Sequence, residues 1–178
     1  MEILEAAAKR SDPLIKAQLQ KYNARRAKDV MANHAETLAG GDAELGKKIF
    51  VERQDVQCLR CHQINGSGGV VGPDLTGVGK RLSREELLES ILLPNNKISK
   101  GFENLVIKMA DGKTHVGMLK KEDAENVFIE SPEDGMLKVP KAEIADLNLG
   151  LSSMPPEIAT QLSKRDLRNL IEFLATQK

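Results

Sequence analysis

DVQCLRCHQINGSGGVVGPDLTGVG, residues 55–79, holds both cysteines of the chain, with a histidine directly after the second. Two thiols three residues apart, beside an imidazole, admit three chemistries: a redox dithiol, half of a zinc site, or a covalently held haem. On a helical turn, Cys58, Cys61 and His62 stand at i, i+3 and i+4 and point to one side. Covalent haem attachment needs that arrangement: two thiols add across two vinyl groups, and the adjacent imidazole reaches the iron from the same side.

The rivals lack their companions. A structural zinc site wants four Cys or His ligands, and this chain has no third cysteine, while His34 and His115 stand far apart. A thioredoxin-like dithiol wants a preceding strand in a βαβ setting. Here the preceding GDAELGKKIFVERQDVQ reads as a helix and a short loop. C-x-x-C-H is a signature of c-type haem attachment. The expected cofactor is therefore one haem c, attached through Cys58 and Cys61, with His62 as an axial iron ligand.

Composition narrows the partners. The chain has 178 residues, and its 26 Lys+Arg balance 26 Asp+Glu, so charge argues for neither nucleic acid nor an anionic membrane surface. No apolar run approaches the ~18–20 residues of a membrane span, and MEILEAAAKR lacks the basic start and apolar middle of a secretory signal. There is no Trp, one Tyr and only four Phe. Rings normally contribute much of a core, and a bound macrocycle offers a replacement.

Outward from the motif, Asp42 is a helix N-cap with Glu44 in the first turn, and Gly46 and Phe50 share a face. Near the other end, SKRDLRNLIEFLATQK starts at Ser163 with an acid three residues on, and Leu167, Leu170, Ile171 and Leu174 line one face beside Phe173. Ser83 and Glu86 form a capping box for REELLESILLP, whose buried face is Leu87, Leu88, Ile91 and Leu92 and whose end is Pro94. The run NGSGGVVGPDLTGVGKRL reads as a glycine-rich loop without the phosphate-binding G-x-x-x-x-G-K-[ST] pattern.

Between residues 100 and 149 the pattern alternates instead: FENLVIKM, an Asp-Gly turn, THVGML, ENVFIE, a SPEDG turn, then one or two strands in MLKVPKAEIADLNL. This predicts a small antiparallel β module, a barrel or a curled meander. Seven Lys and ten acids over residues 100–150 make it mildly acidic. Ahead of the motif, residues 11–41 start with a Ser-Asp cap and Pro13 and end in Gly-Gly. Apolar spacing through Ile15, Leu19, Tyr22, Ala27, Met31, His34 and Leu38 predicts one long helix or two.

Six methionines are available as a second axial ligand. Met154 lies in LSSMPPEI, a loop stiffened by two prolines ahead of the last helix. Met109, Met118 and Met136 fall in strand-like runs, where methionine is usually gap filler. Met31 falls in an N-terminal helix and Met1 at the chain start. His34 reads as a helix-face residue and His115 as a strand-surface one.

With GDAELGKKIF, CLRCH, GGVVGPDLTGVGKRLSREELLESIL and SSMPPEI in this order, residues 41–178 resemble the Pirellula/Verrucomicrobium-type haem-binding domain, a module similar to class I cytochromes c. The resemblance implies a mainly α cytochrome c-like fold at residues 41–178, interrupted by the β insertion at 100–149 and preceded by a helical extension at 1–40. It implies that the helix with Gly46 and Phe50 crosses the last helix at Leu170 and Phe173. It implies that the Pro73 carbonyl accepts the His62 Nδ1–H, that Leu75 packs on the ring, and that Met154 presents its sulfur to the iron. Arg81 is a candidate partner for a haem propionate.

The functional expectation is a monohaem electron-transfer domain rather than an enzyme, accepting electrons from a partner protein or an upstream dehydrogenase domain. In that family the module is often the C-terminal part of large secreted proteins. The other readings are a haem sensor or ligand-binding protein with a displaceable sixth ligand, and an interaction module with an incidental cysteine pair. Covalent haem is attached outside the cytoplasm, so a periplasmic or otherwise extracytoplasmic location is expected. Pairing of two copies through the N-terminal helices or the β insertion is left open.

Overall fold

In the computed structural model, which describes residues 2–26 and 29–178, the chain opens with α1 (Glu2–Ala8), α2 (Pro13–Arg26), α3 (Val30–Asn33) and a 3-10 turn at Ala35–Thr37. Helix α4 (Ala43–Glu52) leads to the one-turn α5 (Cys58–Cys61), a hairpin of β1 (Gln63–Ile64) and β2 (Ser67–Gly68), and the short α6 (Val78–Arg81). After α7 (Arg84–Leu92) come five strands: β3 (Asn104–Met109), β4 (Thr114–Glu122), β5 (Asn126–Ser131), β6 (Gly135–Pro140) and β7 (Ile144–Leu149). A 3-10 helix (Pro156–Gln161) and α8 (Lys164–Thr176) end the chain.

The caps act as the sequence predicts. Asp42 accepts from the Glu44 and Leu45 N–H groups at 2.9 and 3.0 Å, and Ser83 and Ser163 form full capping boxes with Glu86 and Asp166. Each satisfies backbone donors that a helix start leaves orphaned. The apolar faces of α4, α7 and α8 meet in one core, in which Leu88, Leu167 and Ile171 are wholly buried. Full burial of such a side chain contributes roughly 1.5–3 kcal/mol.

Gly46 and Phe50 of α4 do cross α8. A Cβ on Gly46 would lie 2.0 Å from the Asn169 carbonyl oxygen, so the backbones touch there. The Phe50 and Phe173 rings sit beside the contact, centroids 5.7 Å apart. The crossing is locked by a buried polar group that hydrophobic periodicity does not reveal, Asn169, whose Oδ1 accepts from the Asp42 N–H at 2.9 Å. Helix α7 is tied to α8 by the Arg84 guanidinium, paired with both Glu172 oxygens at 2.8 Å.

The five strands form a separate antiparallel sheet of order β6-β5-β4-β3-β7. It carries its own core of Leu105, Ile107, Val127, Ile129 and Val139, to which no helix contributes among the described residues. Ile107 and Ile129 are nevertheless wholly buried, so the sheet must curl over itself. Register shifts at Lys108/Met109 and Leu119/Lys121 mark where the strands bend. Of the two forms expected, this is a curled meander with β7 added beside β3: β6 and β7 remain edges, and the barrel does not close.

Of the one helix or two expected from residue 11, two form, α2 and α3, with Asp29 capping the second by accepting from Met31 and Ala32 N–H; of the stripe named above, Ala27 lies outside the described residues, as does Met1. Helix α1 falls within the helical extension expected at 1–40, although the apolar spacing indicates helix only from Ile15 onward. Other sequence expectations change. Met31 and Leu38 pack on the helical core and Thr37 is fully buried, whereas α2 lies on α1 and α3. The glycine-rich run is not all loop: Asn65 and Gly66, at φ +52° and +79°, make the two-residue turn of the β1–β2 hairpin, an Asn-Gly signal hidden among neighbouring glycines. His115 pairs with Ile107 and is half-buried in the curl rather than on the surface, 3.8 Å from the Asp134 carboxylate. Met136 is 63% exposed and fills no gap, whereas Met109 and Met118 are packed.

Candidate functional site

Directly before the motif the chain reverses. Gln57 takes a left-handed conformation, φ +45°, and α5 completes a single turn before His62 returns to extended backbone. The His62 N–H still donates to the Cys58 carbonyl at 2.9 Å, closing the turn. The turn is tethered by Arg53, whose guanidinium reaches Asp55 and the Gln161 carbonyl and pairs with Asp166 at 2.9 Å, linking the approach to Cys58 with the start of α8.

Cys58, Cys61 and His62 line one cavity of about 460 Å³. Its walls come from Phe50 of α4, Leu87 and Ile91 of α7, and Leu170 and Leu174 of α8. Pro73, Leu75, Arg81 and Met154 line the same cavity, so it brings together every site residue expected from the sequence. Both thiols are half-buried and free of any disulfide. Burial pushes the Cys58 thiol up to about 11.

The imidazole is held from behind. His62 Nδ1 lies 2.9 Å from the Pro73 carbonyl oxygen; a proton on Nδ1 donates to it and leaves the Nε2 lone pair free. Burial holds the His62 pKa below its ordinary value, and the Pro73 carbonyl opposes that shift, so near neutral pH the ring is the uncharged form that binds metal. Gly72 lies against the ring face: a Cβ there would be 2.6 Å from Cε1 and 2.8 Å from Nδ1 of His62. Its N–H donates to the Cys61 carbonyl at 2.8 Å, which lays this loop on the cysteine turn.

Leu75 packs on the helical core, and its N–H donates to the Gln63 carbonyl at 2.8 Å. Arg81 donates from Nη2 to the Asp74 carbonyl at 2.8 Å. Met154 is half-buried against the helical core, in a loop between β7 and the 3-10 helix. The linker from α7 to β3 adds residues that sequence reasoning missed. Lys97, Lys100 and Phe102 line the cavity as well, and the only cue was that helical signal stops at Pro94.

The residues present fit a covalently held haem. Two thiols and a neutral imidazole with a fixed outer nitrogen open into one mostly apolar cavity, whose size falls in the ~300–1,000 Å³ range of cofactor sites. Arg81, Lys97 and Lys100 supply cationic groups for carboxylates along its wall. Among the described residues, no group of three His, Cys, Asp or Glu side chains could hold a metal ion without such a macrocycle, and no helix is long and apolar enough to cross a membrane.

No curated protein matches the chain. Residues 43–129, from α4 through the cysteine turn and into β5, match the Cytochrome c family, which supports a c-type cytochrome domain that binds haem c through its cysteines and transfers electrons.

Proposed function

We propose that the chain is a monohaem electron-transfer domain in which Cys58 and Cys61 would anchor the haem through thioether bonds and His62 and Met154 would ligate its iron. The observation that carries this reading is the shared cavity: His62, with Nδ1 turned to Pro73, and the Met154 side chain both border it. When bound, haem c supplies an iron that alternates between ferric and ferrous without making or breaking bonds to a substrate. The chain's own residues limit reorganisation. Pro73 fixes the imidazole orientation, Gly72 lets the loop close against the ring, and the walls from α4, α7 and α8 exclude water. A thioether favours ferrous iron and raises the potential relative to two imidazoles.

The balanced net charge leaves partner docking to local surfaces. Val70 and Val71, next to the cavity wall, are exposed apolar residues of the kind such a surface uses. The donor we infer is a dehydrogenase, as partner or as upstream domain, in keeping with the Pirellula/Verrucomicrobium-type resemblance of residues 41–178. Cytochrome c domains are usually extracytoplasmic, and haem attachment places maturation of this one outside the cytoplasm, in the periplasm or its equivalent.

The test is the visible spectrum of protein matured with the haem-attachment machinery. Sharp reduced c-type bands, with a far-red sulfur-to-iron band when oxidised, are expected, and Met154→Ala abolishes the far-red band. Absence of covalent haem sinks the assignment of Cys58 and Cys61. Ready binding of carbon monoxide by the ferrous parent protein would replace electron transfer with ligand binding.

A further inference from the structure

The loop carrying Met154 has little of its own to hold it. Leu149 and Leu151, at its start, are 74% and 73% exposed, so apolar burial does not anchor it there. The Met154 N–H bonds only within the loop, to Ser152 Oγ at 3.1 Å. Beside the packing of Met154 itself on the helical core, the hydrogen bonds that tie the loop to the rest of the described residues run through two asparagines. Asn95, in the turn after α7, accepts from the Ser152 N–H at 2.8 Å. Asn104, the first residue of β3, makes three bonds: its carbonyl accepts from the Gly150 N–H at 2.7 Å, and its Nδ2 donates to the Leu151 carbonyl at 2.7 Å and to Ser153 Oγ at 3.0 Å.

We propose that Asn104 is a positioning residue through which the β sheet holds the Met154 loop in place. This rests on the reading of Met154 as an axial ligand. The chemistry suits an asparagine: both protons of one amide are used, spanning loop residues two apart, and no carboxylate could donate either bond. Asn104 is itself fixed by the sheet, pairing with Met118 of β4 while the adjacent Glu103 carbonyl accepts from Leu119 N–H at 2.8 Å. A Cβ on Gly150 would lie 3.1 Å from the Asn104 Cβ, so loop and strand are packed as well as bonded. The sheet thereby acts on the iron's sixth position: whatever loosens β3 loosens the sulfur.

Asn104→Asp, Ser153→Ala, Asn148→Ala and Met154→Ala are compared as matured holoproteins. The readouts are the far-red band of the oxidised form, the midpoint potential, and carbon monoxide affinity of the reduced form. Losing both side-chain donors of Asn104 is expected to weaken the far-red band and raise carbon monoxide affinity by about tenfold or more. Ser153→Ala, which deletes one acceptor without touching the strand, moves both readouts the same way by less. Asn148→Ala, on edge strand β7 of the same sheet, leaves them at parental values. The proposal is overturned if Asn104→Asp and Ser153→Ala both keep the parental band and affinity while Met154→Ala has lost the band. Should Asn104→Asp unfold the sheet, Ser153→Ala decides alone, and parental behaviour overturns the proposal. If Met154→Ala retains the band, the ligand assignment itself falls, and this inference with it.

Discussion

Alanine at position 46 tests the crossing on which the cavity is built. A methyl group there would sit 2.0 Å from the Asn169 carbonyl oxygen, 2.6 Å from its carbon and 2.7 Å from the Phe173 Cβ. Two of these are backbone atoms of α8, so no side-chain rotation relieves the clash. Ordinary contact begins near 3.4 Å, so α4 and α8 must separate by about 1.4 Å, loosening Phe50 against Phe173 and stretching the 2.9 Å bond from Asp42 to Asn169. Overpacking of this kind costs about 1–3 kcal/mol, and the rigid partner puts Gly46→Ala at the upper end. Alanine recovers about 1 kcal/mol of helix propensity, which leaves a net loss of about 2 kcal/mol. For a chain of this length each kcal/mol moves Tm by roughly 2–4 °C. Urea unfolding of the matured protein, with Lys48→Ala on the exposed face of α4 as the control, reads the difference. A Gly46→Ala protein as stable as the parent, or more stable, would refute the close approach.

Gly72→Ala should act on the ring rather than on stability. The methyl group would push the imidazole by about 0.8 Å, the gap between 2.6 Å and ordinary contact, and break the 2.9 Å bond to Pro73. Haem content per chain after maturation is the readout, and full loading with a parental spectrum counts against the cradle. Arg84→Met removes the pair with Glu172, about a third exposed on the arginine side, and should cost about 1 kcal/mol. The hydrogen bonds from Arg84 hold the Glu172 pKa below its ordinary 4.5. The contribution is therefore present above that value and lost as pH falls through the lower folded one. Parent and variant should differ in urea midpoint at pH 7 and converge under strongly acidic conditions. A constant gap would contradict the assignment. Ile129→Ala, in the separate core of the sheet, should cost about 2–5 kcal/mol there. Hydrogen exchange should show lost protection in β3–β7 with α4 and α8 protected as before, and uniform loss would mean the two cores are one.

The local grammar of this chain was legible before any fold. Helix starts at Asp42, Ser83 and Ser163, the stop at Pro94, the alternation that marked four or five strands and the cysteine-histidine turn all depend on residues within a few positions of one another. Short-range bonding and periodicity therefore dictate them. The chemistry of Cys58, Cys61 and His62 is of the same kind, since its meaning lies in spacing. The glycines concealed the hairpin, because one Asn-Gly turn is hard to distinguish inside a run of flexible residues.

Long-range contacts were not legible in this way. Gly46 must be glycine because of a carbonyl 123 positions on, at Asn169, and Gly72 because of a ring that another loop presents. His115, polar on an alternating strand, reads as surface until the sheet curls over it. Lys97, Lys100 and Phe102 carry no motif and reach the cavity only because α7 turns the chain past it. Asn104, in a strand-like run, and Asn95, just after a helix stop, carry no motif, and their bonds to the Met154 loop span 46 to 57 positions. Spacing along the chain selected the chemistry. The choice of neighbours fell to tertiary packing, because close approach and polar satisfaction are settled only where distant segments meet.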